Sequence, residues 1–378
     1  MKLYALVAKS ILVLLAPLSV ALSTLAHAGL VSGFGVNVEA IEASASVVND
    51  RVLILAGRRT AGADFGPFAE VSLIDVAADG GPGLITRIPE LDGSRADEFR
   101  FVFGSNGDLW VVKTRLSGNL RLSKISGTRS LSVDISLPAD LKEGDVRVQA
   151  IYLPGDGTIE LALRRSGDGV LLVLAPDASI KSIQPISDSA EFQSLIRIPG
   201  SGNSLVASAS GTISLIGNVD SKLSVRGPDM KIAGPIYQEK GLFSKPVFNP
   251  DGSRVAIAIK TALPGRVVVS LLTPKLEKLS SSTVVEKKSF TGSVSLVFVR
   301  DRLISLHADA GRCYIDEFNS FDGKVIRRRE VQTGGASRCI GIKGIKSGAG
   351  MLLVTSKVNI VGGMLESTIE TSFLTSIE

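Results

Sequence analysis

A recurring beat of about fifty residues constrains this 378-residue chain more than any other feature. Seven short segments, 51–57, 108–114, 158–164, 204–210, 254–260, 302–308 and 351–357, each pair a turn-like or polar lead-in with a mostly apolar run. Their starts differ by 57, 50, 46, 50, 48 and 49 residues. Spacing of this kind marks one supersecondary unit stacked many times, because a single unit cannot bury its own apolar face. The surroundings of each segment repeat too. An apolar run precedes it across a tight turn, as in 99–103 before Gly104 and Gly107, 150–153 before Gly155 and Gly157, and 246–248 before Asn249 and Gly252. Gly and Asn accept the positive φ that such turns need, so each is a hairpin signal.

A third strand is expected at 69–76, 120–125, 170–174, 212–216, 267–272, 313–318 and 365–374. A fourth follows in six units, at 84–88, 131–137, 180–186, 223–226, 282–285 and 324–331. Four antiparallel strands in each unit predict an all-β fold: a single seven-bladed β-propeller of four-stranded antiparallel blades. The seventh unit ends after its third strand. The stretch 33–40, in which Phe34, Val36 and Val38 alternate, is therefore expected to supply the outer strand of the last blade and close the ring. Closure removes an open sheet edge. The alternative places 33–48 in the first blade and leaves three strands in the last. No long amphipathic helical pattern interrupts the series, which argues against helix-wrapped sheets.

One blade carries a resemblance in letters as well as pattern. Phe248, Pro250, Asp251, Gly252, Val255 and Ala256 together resemble the repeat of Tol-type periplasmic propellers and of the propeller domains of prolyl oligopeptidases. Asp322, Gly323 and Lys324 faintly resemble the strand-turn of quinoprotein-like propellers, although Trp110 is the only tryptophan and the blades of quinone dehydrogenases are Trp-rich. The resemblance implies a superfamily, and a propeller fold hosts many functions.

Residues 1–28 read as a signal peptide preceding a propeller domain at 29–378. Lys2 and Lys9 give a short basic region, 11–26 is mostly apolar, and Ala26 and Ala28 are small residues at the positions a signal peptidase reads. Cleavage is expected before Gly29. The alternative is an uncleaved anchor, against which Pro17, Ser19 and Ser23 interrupt the apolar block. Loss of Lys2 and Lys9 lowers the formal charge from +5 to +3, and loss of His27 leaves His307 as the one histidine. The expected location is the periplasm or the exterior, an oxidising setting in which Cys313 and Cys339 are expected to pair and pin the last blade to its neighbour.

The loops joining second to third strands share one face. They carry Arg58, Arg59, Arg115, Arg164, Arg165, Lys260, Arg266, Arg312 and Lys357 against Asp64, Asp168 and Asp309. An anion-binding rim is one reading, with Arg58, Arg115, Arg165, Arg266 and Arg312 as ligand contacts, because guanidinium forks match planar anions. The other is that acids in the inter-blade connections, such as Asp97, Glu98 and Glu191, offset the excess, and that charges at strand ends act as solvated guards against sheet pairing. His307, Asp309 and Arg312 cluster near the end of one strand. His307 is the natural candidate for a general base with Asp309 as its orienter, and a structural histidine is the alternative. The connection 227–243, with Met230, Tyr237, Glu239 and Lys240, reads as the largest insertion, either a flap or a packed surface loop.

The sequence excludes several chemistries. It has no Gly-x-Ser-x-Gly elbow, no phosphate-binding Gly-Lys-Ser/Thr loop and no His-Glu-x-x-His helix. One histidine and two cysteines argue against a zinc site, and no cofactor or metal is expected. Arg327, Arg328 and Arg329 alternate in direction on a strand and do not make a nucleic-acid patch. The leading expectation is an exported binding or scaffold protein recognising a protein or a cell-envelope glycan. The alternatives are a hydrolase or lyase acting on an anionic substrate, and a structural component of the envelope.

Overall fold

The computed structural model describes residues 28–31, 38–45, 51–59, 67–77, 84–95, 98–104, 106–115, 118–127, 129–142, 146–186, 191–210, 219–287, 294–299, 302–309, 312–319, 321–331, 336–344, 351–361 and 364–374. After a short leading strand, β1 (Ala28–Val31), antiparallel sheets follow one another along the chain. The first sheet holds β2 (Val38–Ala45), β3 (Arg51–Arg59), β4 (Phe68–Ala77) and β5 (Leu84–Arg87). The second holds β6 (Phe99–Phe103), β7 (Leu109–Thr114), β8 (Leu120–Ser126) and β9 (Arg129–Ile135). The third holds β10 (Val146–Tyr152), β11 (Ile159–Arg165), β12 (Asp168–Leu174) and β13 (Ile180–Ile186). The fourth holds β14 (Glu191–Arg197), β15 (Ser204–Ser210), β16 (Asp220–Arg226) and β17 (Ile232–Lys240).

In the fifth sheet the innermost position is divided between β18 (Leu242–Phe243) and β19 (Val247–Phe248). Both pair with β20 (Val255–Thr261), which is followed by β21 (Gly265–Leu272) and β22 (Lys278–Lys287). The sixth holds β23 (Val294–Val299), β24 (Arg302–Asp309), β25 (Arg312–Phe318) and β26 (Val325–Val331). A last sheet orders β27 (Ala336–Gly344), β28 (Met351–Val361) and β29 (Met364–Leu374), with β1 on the outer side of β29. The only helices among the described residues are single turns, Pro89–Leu91 and Ala139–Lys142, in the connections between sheets. None of the described helices is long and apolar enough to cross a membrane.

Burial explains which strand sits where. Five consecutive residues from Ile159 to Leu163 are buried, and so are the five from Val255 to Ile259, because each of these second strands is covered on both faces by neighbouring sheets. Outer strands instead expose alternate residues, as β13 does. Their free edges are blunted by Pro185 in β13 and Pro235 in β17, which lack an N–H, and by the charged run Arg327–Arg329 in β26.

Cores lie between consecutive sheets. Leu55, Phe68 and Val71 meet Phe99, Leu109 and Val111. Leu171 and Ile186 of the third sheet meet Phe192 and Val206 of the fourth. Ala258 and Val269 of the fifth meet Leu303 and Phe318 of the sixth. Gly57 shows how close this packing is: a Cβ there would stand 2.4 Å from Cδ1 of the fully buried Phe68 ring. Polar ties join sheets as well. Arg197 of β14 grips Glu160 of β11, its Nε donating to Oε2 at 2.8 Å. Ser282 of β22 donates to the carbonyl of Gly323 at 2.6 Å.

Three sequence expectations change. The residues paired with the last sheet are Ala28–Val31, in register Ala28↔Ser372 to Val31↔Ile369, whereas residues 38–40 of the predicted closing strand belong to Val38–Ala45, the first strand of the first sheet, and 33–37 lie outside the described residues. The stretch 227–243 is no flap. It contains β17, the outer strand of the fourth sheet, and the predicted fourth strand 223–226 is the end of β16. The predicted third strand, 212–216, lies outside the described residues. Gly234 and Pro235, together with the polar end of β17, hid the strand from a reading based on apolar runs.

Candidate functional site

The proposed rim is largely neutralised by its own strands. Arg58 Nη2 meets Glu70 Oε2 at 2.7 Å, Arg115 Nη1 meets Asp134 Oδ2 at 3.3 Å, and Arg312 Nη1 meets Glu330 Oε2 at 3.6 Å. Arg164 pairs with Glu191. Arg266 donates to Thr283 Oγ1 at 3.3 Å and is exposed. The side chains of Arg59, Asp309 and Lys357 fall outside the described ones, and Asp64 lies outside the described residues.

His307 does not reach that rim. It points into the seam between the fifth and sixth sheets and is 2% exposed, stacked on Tyr314 with ring centroids 5.2 Å apart. Its Nδ1 approaches Asp316 Oδ2 at 3.3 Å, though without the alignment of a hydrogen bond. Asp316 is fully buried and accepts from Arg328 Nε at 2.6 Å and Nη2 at 3.1 Å, while Nη2 also donates to the carbonyl of Val284 in the fifth sheet at 2.8 Å. Burial pushes the Asp316 carboxyl up, but His307 and Arg328 outweigh it and hold the group below the usual carboxylate range. The strand persists to Asp309, whose backbone pairs with Arg312, so these residues are neighbours along an edge while the His307 ring lies in a core. Cys313 is 1% exposed among Ile304, Leu306 and Ile315. Cys339 lies in β27, opposite Thr355, and its side chain is outside the described ones.

Arg165 is the predicted rim residue that reaches a cavity, one of about 760 Å³ bordered by both faces of the third sheet and by the fourth. Ser166 and Gly167 both take positive φ, 48° and 105°, and this tight β11–β12 turn sets Arg165 and Asp168 opposite each other at the mouth. The helical turn after Pro138 adds Asp140, exposed, and Leu141, buried. Ile186 lines it from the face of β13 that meets the fourth sheet, where Ile232 and Ile236 of β17 also lie, whereas Val170 and Ile183 line it from the other face of the third sheet, on the side of the second. Ile183, Ile232 and Ile236 are 37%, 54% and 51% exposed.

Lys222 and Ser224 sit two apart on β16 and both line the cleft. The Ser224 hydroxyl accepts from Arg226 Nε at 3.0 Å. Lys222 is half-buried and has no ion-pair or hydrogen-bond partner among the described residues. The lining is thus divided: Arg165, Asp168 and the Asp140 turn stand on the side of the third sheet that faces the second, Lys222, Ile232 and Ile236 on the side of the fourth, and no aromatic ring lines either part. Sequence reasoning found Arg165 but missed Lys222, Ile232 and Ile236. The signal lay in the stretch 227–243, whose isoleucines fall at spacing four on a strand and so face one side.

No family model matches the chain, and no curated protein matches it in sequence. Among solved structures, the propeller of Dos1 matches with a TM-score of 0.53 at 10% identity, over 92% of this chain and 96% of that one. A luciferin-regenerating enzyme matches with a TM-score of 0.45 at 13% identity, over 73% of this chain and 90% of that one. At such identity the first likeness speaks of fold alone. Together with the repeated four-stranded antiparallel sheets it marks the chain as propeller-like and all-β.

Proposed function

We propose that the protein is an exported, seven-bladed, non-enzymatic propeller, closed by β1 against β29, that binds a protein partner at the face where the cleft opens. The observation that carries this reading is the cavity itself, where Ile232 and Ile236 of the fourth sheet stay 54% and 51% exposed beside the half-buried Lys222. Binding sites combine an apolar lining with a few placed polar groups in this way. A protein fits better than an envelope glycan, because sugar faces stack on aromatic rings and the lining has none. The hydrolase or lyase reading with His307 as base draws no support from a ring 2% exposed, 3.3 Å from a carboxylate that Arg328 already holds.

The test is photo-cross-linking in the producing cell, with a benzophenone amino acid at Ile236 and, as control, at Leu131 on β9, which is 73% exposed in the second sheet. A discrete protein adduct from position 236 and none from 131 is expected. No adduct from 236, or the same adducts from both positions, refutes the reading.

Export rests on the leader features of 1–28, and its check is the mass of the protein from the periplasm or medium, which should begin at Gly29. We also propose a Cys313–Cys339 disulfide. It is supported by β25 lying against β27 and by the lack of free cysteines among the described residues. Closing 25 intervening residues stabilises by roughly 3–4 kcal/mol on the loop-entropy view. Reaction of both thiols with an alkylating agent in the folded, unreduced protein would refute the bond.

A further inference from the structure

We infer that β26, the outer strand of the sixth sheet, accepts a further strand from a partner protein, an extended segment that carries Asp or Glu at alternate positions. Among the described strands β25 alone pairs with β26, which leaves the other edge of its backbone open there. An open edge is a row of N–H and C=O groups, and the group that matches such a row is another peptide backbone. All seven residues from Val325 to Val331 keep an N–H, whereas Pro185 and Pro235 remove one from β13 and β17. The outer strands β9 and β22 also lack proline, but β9 carries one cation and one carboxylate, and the charges of β22 stand at its ends.

The side chains of β26 choose the partner. Arg327 and Arg329 lie opposite Glu317 and Ile315 of β25, so they share one face, two residues and about 7 Å apart along the strand. An added strand has the same rise, which sets carboxylates at its alternate positions beside the two guanidinium groups. The acids around them are engaged by other arginines: Glu317 by Arg302 at 2.5 Å, Glu330 by Arg312 at 3.6 Å and Asp316 by Arg328 at 2.6 Å. The charge that keeps two copies of β26 apart therefore favours an acidic strand. At the start of the strand Ile326 and Phe321 are 58% and 77% exposed, with Arg254 held 4.6 Å from the Phe321 ring, and they offer apolar surface for an added strand to cover.

The probes are two fluorescein-labelled octapeptides, (Glu-Val)4 and (Lys-Val)4, titrated against the intact protein by fluorescence anisotropy, with hydrogen exchange to locate the contact. (Glu-Val)4 should bind and slow exchange across 325–331 but not across 129–135 of β9. (Lys-Val)4 should bind at least tenfold more weakly. Methylating alternate backbone nitrogens of (Glu-Val)4 should abolish binding in one phase and spare it in the other, because only the N–H groups turned toward β26 pair. Arg327 is exposed, so Arg327→Gln keeps the fold, which matched thermal melting checks; it should weaken (Glu-Val)4 at least fivefold, and Arg327→Lys should recover part of the loss. The peptide comparisons need no variant.

The inference is overturned if (Glu-Val)4 fails to bind, protects residues other than 325–331, or binds undiminished by methylation in both phases or by Arg327→Gln. Phosphatidylglycerol vesicles that bind in an Arg327-dependent way while (Glu-Val)4 does not would equally overturn it and assign the edge to an anionic lipid surface. The cavity beside Ile236 is a different surface, so these results leave the reading above standing, and the cross-link at position 236 does not decide this one.

Discussion

Replacing Asp316 with Asn should loosen the seam between the fifth and sixth sheets. The carboxylate is fully buried and takes two charge-assisted bonds from Arg328, at 2.6 and 3.1 Å, while Arg328 reaches across to the Val284 carbonyl. Hydrogen bonds to charged groups contribute about 1.5–3 kcal/mol each. Arg328 is 45% exposed and regains water once unpaired, so the net loss should be about 2–3 kcal/mol rather than the sum of both bonds. Unfolding entropy of about 2.1 cal/mol/K per residue, over a chain this long, makes that a fall in Tm of about 3–4 °C.

Urea unfolding followed by the single tryptophan, Trp110, and by circular dichroism gives the free energy, provided the two signals coincide. Against Arg328→Gln, a double-mutant cycle should return a coupling of about 1–2 kcal/mol. The sign with pH follows from the lowered carboxyl. Its contribution is complete above the ordinary carboxylate value near 4 and is lost as pH falls through the lower folded value, so parent and variant converge in acid. A Tm change below about 1 °C, additive effects in the cycle, or a gap as wide in acid as at pH 7 would refute the reasoning.

Glu160→Gln should cost about 2–3 kcal/mol in urea, since the carboxylate is 7% exposed and ties β11 to Arg197 of the next sheet. Gly57→Ala forces a methyl group into the Phe68 ring and should cost about 1–3 kcal/mol by the same measurement, with the larger value expected because that ring has no exposed surface into which to move. Arg58→Gln, by contrast, removes an ion pair whose arginine side chain is 47% exposed and should change stability by no more than about 0.5 kcal/mol; a loss above 1 kcal/mol would show that the rim is more than a solvated set of pairs.

The fold was legible because a propeller-like chain writes its buried strands as apolar runs at a steady spacing. The runs at 159–163 and 255–259 stood out for the reason that they are buried on both faces. Outer strands were harder, because only one face is covered and proline and charge blunt the edge. In β17, Gly234 and Pro235 made a strand look like a loop. The leading strand was misplaced because alternation in 33–40 is a local property, while pairing with β29 is decided by the opposite end of the chain.

Counting rim charges by loop overlooked acids that lie across the sheet, such as Glu70 beside Arg58 and Asp134 beside Arg115. His307 was read as a strand end although the strand continues two residues further, and it is strand direction that turns its ring into a core. The cavity was invisible in the sequence, since it depends on how neighbouring sheets stand together and not on any one segment.

The proposed closure of the ring by β1 is tested most directly at the register Gly29↔Thr371. Directly opposed residues in an antiparallel pair have Cα atoms about 4.5–5.5 Å apart, within reach of a disulfide. In a Gly29→Cys, Thr371→Cys variant, peptide mapping of the oxidised monomer should recover the two segments joined, with thermal melting no lower than that of the parent. Thiols that stay unlinked in the folded monomer, or that link only between molecules, would contradict the closed ring.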